Sequence, residues 1–285
     1  MAYFLHANLC RERHKFGYHS RKSEISGAFL EQKAFSEWRI GVKDEKIYSI
    51  PVNEAFETDC ECPVCAMYDR LETDAVDYAM GPSYMEADIR EVTDKVGFCR
   101  KHVKMVAKKG NTLGMALVLK THFDKVIGDV FELQKEYDAP KKSLFKKKTS
   151  GADAVTDYIK KLECSCFVCD RVDNTFARYV DTIFYLWKSS DEFRENFKKT
   201  KGFCTSHYAL LREKAPEALG QDSLNEFIKV LDALYITNME RVRDDLEWLI
   251  KRFDYRYANE PVKNSKDAIP RAVTKINSVN IEGQG

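Results

Sequence analysis

Residues 60–65 read CECPVC and residues 164–169 read CSCFVC. One C-x-C-x-V-C hexapeptide is thus written twice, about a hundred residues apart. Each copy is followed by a second shared phrase, GFCRKH at 97–102 and GFCTSH at 202–207. These four stretches hold eight of the nine cysteines, leaving only Cys10 apart. Laying 60–95 over 164–199 matches Cys60 with Cys164, Cys62 with Cys166, Val64 with Val168, Cys65 with Cys169 and Val76 with Val180. After DIRE (88–91) meets EFRE (192–195), one extra residue in the second copy brings Gly97 onto Gly202 and His102 onto His207. The period far exceeds the roughly 20–50 residues of solenoid repeats, so two homologous helical halves are implied.

Both halves carry helical periodicity. Tyr68, Leu71, Ala75, Tyr78 and Ala79 fall at spacings of three and four, as do Val172, Phe176, Tyr179, Val180, Ile183, Phe184 and Trp187. The pattern predicts an amphipathic helix opening at each cysteine cluster. GPSY (81–84) ends the first helix, and SSD (189–191) ends the second while offering a serine cap to the next. Each half should close with a long helix, the clearer seam running Leu224, Phe227, Ile228, Leu231 and onward to Ile250 and Phe253. Strand signals are weak, and the expected fold class is all-α, two duplicated half-domains each with a Cys/His site at helix N-termini. The boundaries expected are an N-terminal extension (1–45), repeat 1 (46–138), a basic linker (139–151), repeat 2 (152–258) and a tail (259–285). The extension has no counterpart in the second half, so it is expected to be loosely attached or to reflect a misplaced start codon. In the tail, Pro270 suits the first turn of a short helix docking on the body.

The spacing has a chemical meaning. Cys62 and Cys65 are three apart at a helix mouth, so their sulfurs share one face, and Pro63 suits the first helical turn. Cys99 and His102 have the same spacing, and Gly97 permits the turn before them. The positive end of a helix favours the thiolate that binds metal. Together Cys62, Cys65, Cys99 and His102 form a Cys3His set suited to tetrahedral zinc, and Cys166, Cys169, Cys204 and His207 form a second, giving two ions per chain. Cys60 and Cys164 exceed four ligands. They stand as thiols beside the site, as alternative ligands, or as signs of an iron–sulfur cluster. Buried cysteines of a duplicated core are the plain structural alternative. His122, inside an apolar helical run, is expected to be a hydrogen-bonded core histidine. The acidic stretch Glu86, Asp88, Glu91, Asp94 lacks Glu-x-x-His partners and is expected to face solvent.

Composition narrows function further. In 285 residues, 46 Lys and Arg balance 45 Asp and Glu, which argues against nucleic acid as a partner. No apolar run approaches the roughly 18 residues of a membrane span, and the N-terminal apolar stretch is short for a signal peptide. A cytoplasmic location is expected, where clustered cysteines point to metal or redox chemistry rather than disulfides. No phosphate-binding glycine loop, G-x-S-x-G or H-E-x-x-H is present, so whether the protein is an enzyme stays open. The expected role is binding or scaffolding with a protein partner of unknown identity; the alternative is an iron–sulfur or thiol-based oxidoreductase.

From EKIYSIPVNEAFETDCECPVC onward the chain resembles a bacterial family of unknown function, some members of which are labelled ABC transporter substrate-binding protein. The resemblance covers 45–285, including both C-x-C-x-x-C and GFC-x-x-H copies and the NSKDAIPRA tail. The shorter C-P-x-C with G-F-C-x-x-H is similar to a motif in other uncharacterised bacterial proteins, which implies that Cys62, Cys65, Cys99 and His102 are the minimal set.

Overall fold

The computed structural model describes residues 45–138, 153–257 and 259–281. The expectations for the extension up to residue 44 and for the basic linker lie outside them. The described residues form eleven α-helices and two short 3₁₀ turns, with no strand. In chain order they are α1 (Glu45–Glu57), α2 (Pro63–Met80), a 3₁₀ turn (Pro82–Met85), α3 (Ala87–Val96), α4 (Arg100–Lys108) and α5 (Thr112–Asp138). The second series is α6 (Ala154–Glu163), α7 (Phe167–Ser189), α8 (Asp191–Lys199), α9 (Thr205–Ala218) and α10 (Gln221–Lys251), then a 3₁₀ turn (Lys263–Ser265) and α11 (Ala268–Asn277). The all-α expectation holds, and α2 to α5 correspond in order to α7 to α10.

Local chemistry explains the boundaries. Pro63 is the first helical residue of α2, where its missing N–H costs nothing. Gly81 and Pro82 stop α2 at Met80, whereas α7, with Tyr185 and Leu186 at the matching place, continues to Ser189. Ser190 then caps α8 by accepting from the Phe193 N–H at 3.1 Å. Gly97 (φ 56°) and Gly202 (φ 75°) adopt the left-handed backbone that turns the chain into α4 and α9.

Packing divides the chain into two compact units, and the divisions fall inside the duplicated helices. Unit I is Arg70–Asn174; unit II takes the described residues through Asp69 together with those from Thr175 onward. The cuts lie at almost matching positions of α2 and α7, so the first turns of the two helices are exchanged between repeats. The compact units therefore differ from the sequence division into 46–138 and 152–258.

Unit I buries Ala75, Val76, Ala79 and Met80 of α2 with Val106, Val118, Phe167, Val168 and Val172. Tyr78 stacks on Phe167 with ring centroids 6.4 Å apart, and the Arg171 guanidinium lies over Tyr78 at 3.9 Å. Unit II is richer in aromatics: Phe56, Trp187, Phe193, Phe197, Phe203 and Phe227 are all nearly or fully buried. Phe197 sits at the middle, its ring 5.2 to 6.2 Å from those of Phe56, Trp187, Phe193, Phe203 and Phe227. The long seam of α10 is buried at Phe227, Leu231 and Val242. Its last members depart from expectation: Ile250 is 69 % exposed, and Phe253 lies beyond the helix and is 87 % exposed. The tail docks as expected, α11 packing on α9 and α10 within unit II. No helix among the described residues is long and apolar enough to cross a membrane.

Candidate metal centres

All eight cysteine and histidine residues read as ligands fall into two groups of four, but the pairing crosses the repeats. Cys62 and Cys65 meet Cys204 and His207, while Cys99 and His102 meet Cys166 and Cys169. In each group one donor atom per residue lies within 4.8 Å of every other. The expectation that Cys62 and Cys65 are completed by Cys99 and His102 is therefore corrected, as is its counterpart in the second repeat. The physical reason is the exchange described above: the C-x-x-C turn of each duplicated helix packs in the unit built from the other repeat. Centre I (Cys99, His102, Cys166, Cys169) lies wholly in unit I, and centre II (Cys62, Cys65, Cys204, His207) wholly in unit II.

In both centres the sulfurs and the imidazole converge from helix starts. Cys99 and Cys204 occupy the N-cap positions of α4 and α9, placing His102 and His207 in the first turn. At centre I the His102 Nδ1 lies 3.3 Å from the sulfurs of Cys99, Cys166 and Cys169. At centre II the His207 Nδ1 lies 3.2 Å from Cys204, 3.3 Å from Cys65 and 3.6 Å from Cys62. Sulfur pairs approach to 3.9 Å (Cys99 and Cys169) and 3.6 Å (Cys65 and Cys204). Backbone N–H groups donate to sulfur within the turns, Cys169 to Cys166 at 3.5 Å and His207 to Cys204 at 3.4 Å.

The electrostatics follow from crowding anions in a buried place. Burial opposes a charged imidazole at His102, yet the sulfurs of Cys166 and Cys99 and the Glu72 carboxylate outweigh it and push its pKa up to about 11. At His207 burial again opposes, and the sulfurs of Cys204 and Cys62 prevail, raising it to about 10. The Cys204 thiol is driven down by hydrogen bonds from its cysteine neighbours Cys62 and Cys65. Its neighbour Cys65 is driven up by sharing a proton with Cys204 and Cys62, and Cys169 rises likewise beside Cys166 and Cys99. Such a donor set calls for positive charge at its middle, and a divalent cation supplies more than a shared proton can.

The surroundings contain residues that spacing alone did not flag. Glu72 is only 6 % exposed and its Oε1 accepts from His102 Nε2 at 2.8 Å, with Lys101 as a second donor. At centre II the tail supplies a cover: Ser278 Oγ donates to Cys204 Sγ at 3.0 Å. Lys275, 1 % exposed, gives its ammonium to the carbonyls of Glu61 (2.6 Å) and Lys201 and to the Glu61 carboxylate at 3.2 Å. A charged residue at 72 on an otherwise apolar helical face, opposite Phe176 in the repeat alignment, was the available signal for Glu72. Lys275 and Ser278 left none.

Cys60 and Cys164 belong to neither group of four. Burial first, and the neighbouring Cys62 sulfur second, push the Cys60 thiol up to about 11. His122 donates from Nδ1 to the Asp94 carbonyl oxygen, 2.7 Å away, and its ring closes over Gly97; it is hydrogen-bonded as expected, though half-buried rather than in the core. Glu86, Asp88 and Glu91 are exposed as expected, while Asp94 is half-buried and accepts from the Thr121 hydroxyl.

The fold and its site define an all-helical protein with two Cys3His clusters that could bind metal. The chain belongs to a family of unknown function, DUF6062, whose model matches residues 43–282. No curated protein and no solved structure matches it.

Proposed function

We propose that this is a zinc protein with a binding or scaffolding role, in which two ions, one per centre, tie the helix starts of the two repeats together and present the helical body to a protein partner. The observation that carries the reading is the closeness of four protein donors in each centre, all within 4.8 Å. At zinc–sulfur and zinc–nitrogen bonds of about 2.3 and 2.0 Å, a tetrahedron has edges of about 3.8 Å between sulfurs and about 3.5 Å from sulfur to nitrogen. The separations of 3.6 and 3.9 Å between sulfurs and 3.2 to 3.6 Å to nitrogen support one ion. An iron–sulfur cluster distributes its thiolates over several irons and spreads them further. Four protein donors also complete the coordination, and catalytic zinc sites keep a position open for water or substrate; this supports a structural rather than a catalytic role.

Elemental analysis of protein purified without added metal tests the reading. About two zinc ions per chain in a colourless protein is the expected result. Iron with inorganic sulfide and absorbance in the visible range would transfer the protein to the electron-carrier reading, and metal-free folded protein would remove both.

A further inference from the structure

The duplication makes each centre a control for the other, because residues of one repeat near a centre have counterparts in the other repeat near its twin, the tail residues Lys275 and Ser278 at centre II apart. Advancing Glu72 by the period that carries Cys62 onto Cys166 arrives at Phe176. The two residues also hold equivalent places. Glu72 lies against His102, its carboxylate 2.8 Å from Nε2, whereas Phe176 lies against His207 with ring centroids 5.8 Å apart. His207 makes no ion pair with a carboxylate among the described residues. Phe176 is fully buried and is further packed edge-on by Tyr68 at 5.3 Å. One histidine is thus anchored through its outer nitrogen by a buried acid, and the other by apolar contact.

Resting on the zinc reading above, we propose that the two centres are unequal metal sites and that Glu72 makes them so, as a positioning residue for His102. The inner nitrogen of His102 faces three sulfurs, so a metal ion there takes Nδ1 and leaves the proton on Nε2. The Glu72 carboxylate accepts that proton in a charge-assisted hydrogen bond, which fixes the tautomer, holds the ring in place and strengthens Nδ1 as a donor. Its burial is balanced by Lys101, which reaches the same oxygen from the same turn of α4. At centre II the ring is held in orientation by Phe176 without any gain in donor strength. Centre I binds the first metal ion offered to the metal-free chain, and centre II fills after it.

The test titrates metal-free full-length protein with cobalt(II) against a competing chelator, following the thiolate-to-cobalt absorbance, for the native chain and for Glu72→Gln and Glu72→Asp. The native chain should fill in two steps. Glu72→Gln should weaken the tighter step by about 10- to 100-fold and leave the other unmoved, and Glu72→Asp should restore part of the loss. Imidazole nitrogen spectra of the zinc-loaded native protein give a readout independent of folding effects. His102 should ligate through Nδ1, with an Nε2 proton that exchanges slowly and is lost from view in Glu72→Gln. Equal affinity of the two steps in the native chain, or ligation of His102 through Nε2, overturns the inference and leaves the zinc reading intact. Failure of the native chain to bind cobalt at all removes both.

Discussion

Cys65 and Cys204 stand 139 residues apart in the chain and hold their sulfurs 3.6 Å apart. Because they share a centre, Cys65→Ser and Cys204→Ser should each leave about one ion per chain, and the double variant should still hold that one. Pairing Cys65→Ser with Cys99→Ser, two residues of the same repeat, should instead abolish both. Metal counts on the purified variants check this; one ion retained by the Cys65→Ser, Cys99→Ser double variant would restore the contiguous pairing.

Gly202 should tolerate no side chain. Its φ is 75°, and a Cβ built on it falls 2.8 Å from the Leu234 carbonyl oxygen, a backbone atom that cannot swing away. Gly202→Ala should cost about 1–3 kcal/mol. Gly97→Ala, whose Cβ meets the ring of His122, should cost less when combined with His122→Ala. Denaturant midpoints of the variants decide.

Cys60 titrates far from neutrality, which gives a pH test of its exclusion from the centres. Its pKa is raised by burial to about 11 from 9.0, so the folded state holds the proton more tightly than the unfolded chain. That contribution to stability is complete below pH 9 and fades as the pH climbs toward 11. Iodoacetamide should label Cys60 slowly at pH 8, with a rate rising about tenfold per pH unit until the thiol ionises. Rapid labelling at pH 8 would show a thiolate and sink the assignment.

Lys275 ties the tail to the floor of centre II. Replacing it with Met leaves the buried Glu61 carboxylate, whose Oε1 already lacks a partner, with Arg241 as its remaining ion-pair partner. Breaking a buried pair in this way typically costs about 3–5 kcal/mol. Thermal melts of Lys275→Met, and of Lys275→Met with Glu61→Gln, should show the second change recovering part of the loss.

Phe197→Ala should be among the most damaging apolar truncations, at about 3–5 kcal/mol, since five aromatic rings close on one side chain. Equilibrium unfolding of that variant against an exposed control such as Phe131→Ala measures the difference.

The eight residues that cluster were legible and their pairing was not, for a reason with a magnitude. That Cys62 and Cys65, or Cys204 and His207, share a helix start is a local consequence of spacing and caps. Which pair faces which is decided by packing at long range. Joining Cys65 to Cys204 rather than to Cys99 lengthens the closed loop about fourfold, from 34 to 139 residues. Two doublings add only about 1.2 kcal/mol of closure entropy, against about 10–16 kcal/mol for binding a structural zinc ion. Contiguity is a weak guide when the penalty for ignoring it is so small. The exposed end of the α10 seam carries a related lesson, because periodicity at Ile250 and Phe253 identifies a face without showing that anything covers it.

The reciprocal exchange of the C-x-x-C turns also bears on ancestry. If residue i of one copy answers residue j of the other and j answers i, the contact has the symmetry of a two-fold dimer of identical chains. A single-repeat ancestor would have closed its centres only by pairing with a second molecule, and gene fusion would then have made that partnership permanent. Two genes, each encoding one repeat, should accordingly complement each other when expressed together, each product supplying one pair of donors to each centre.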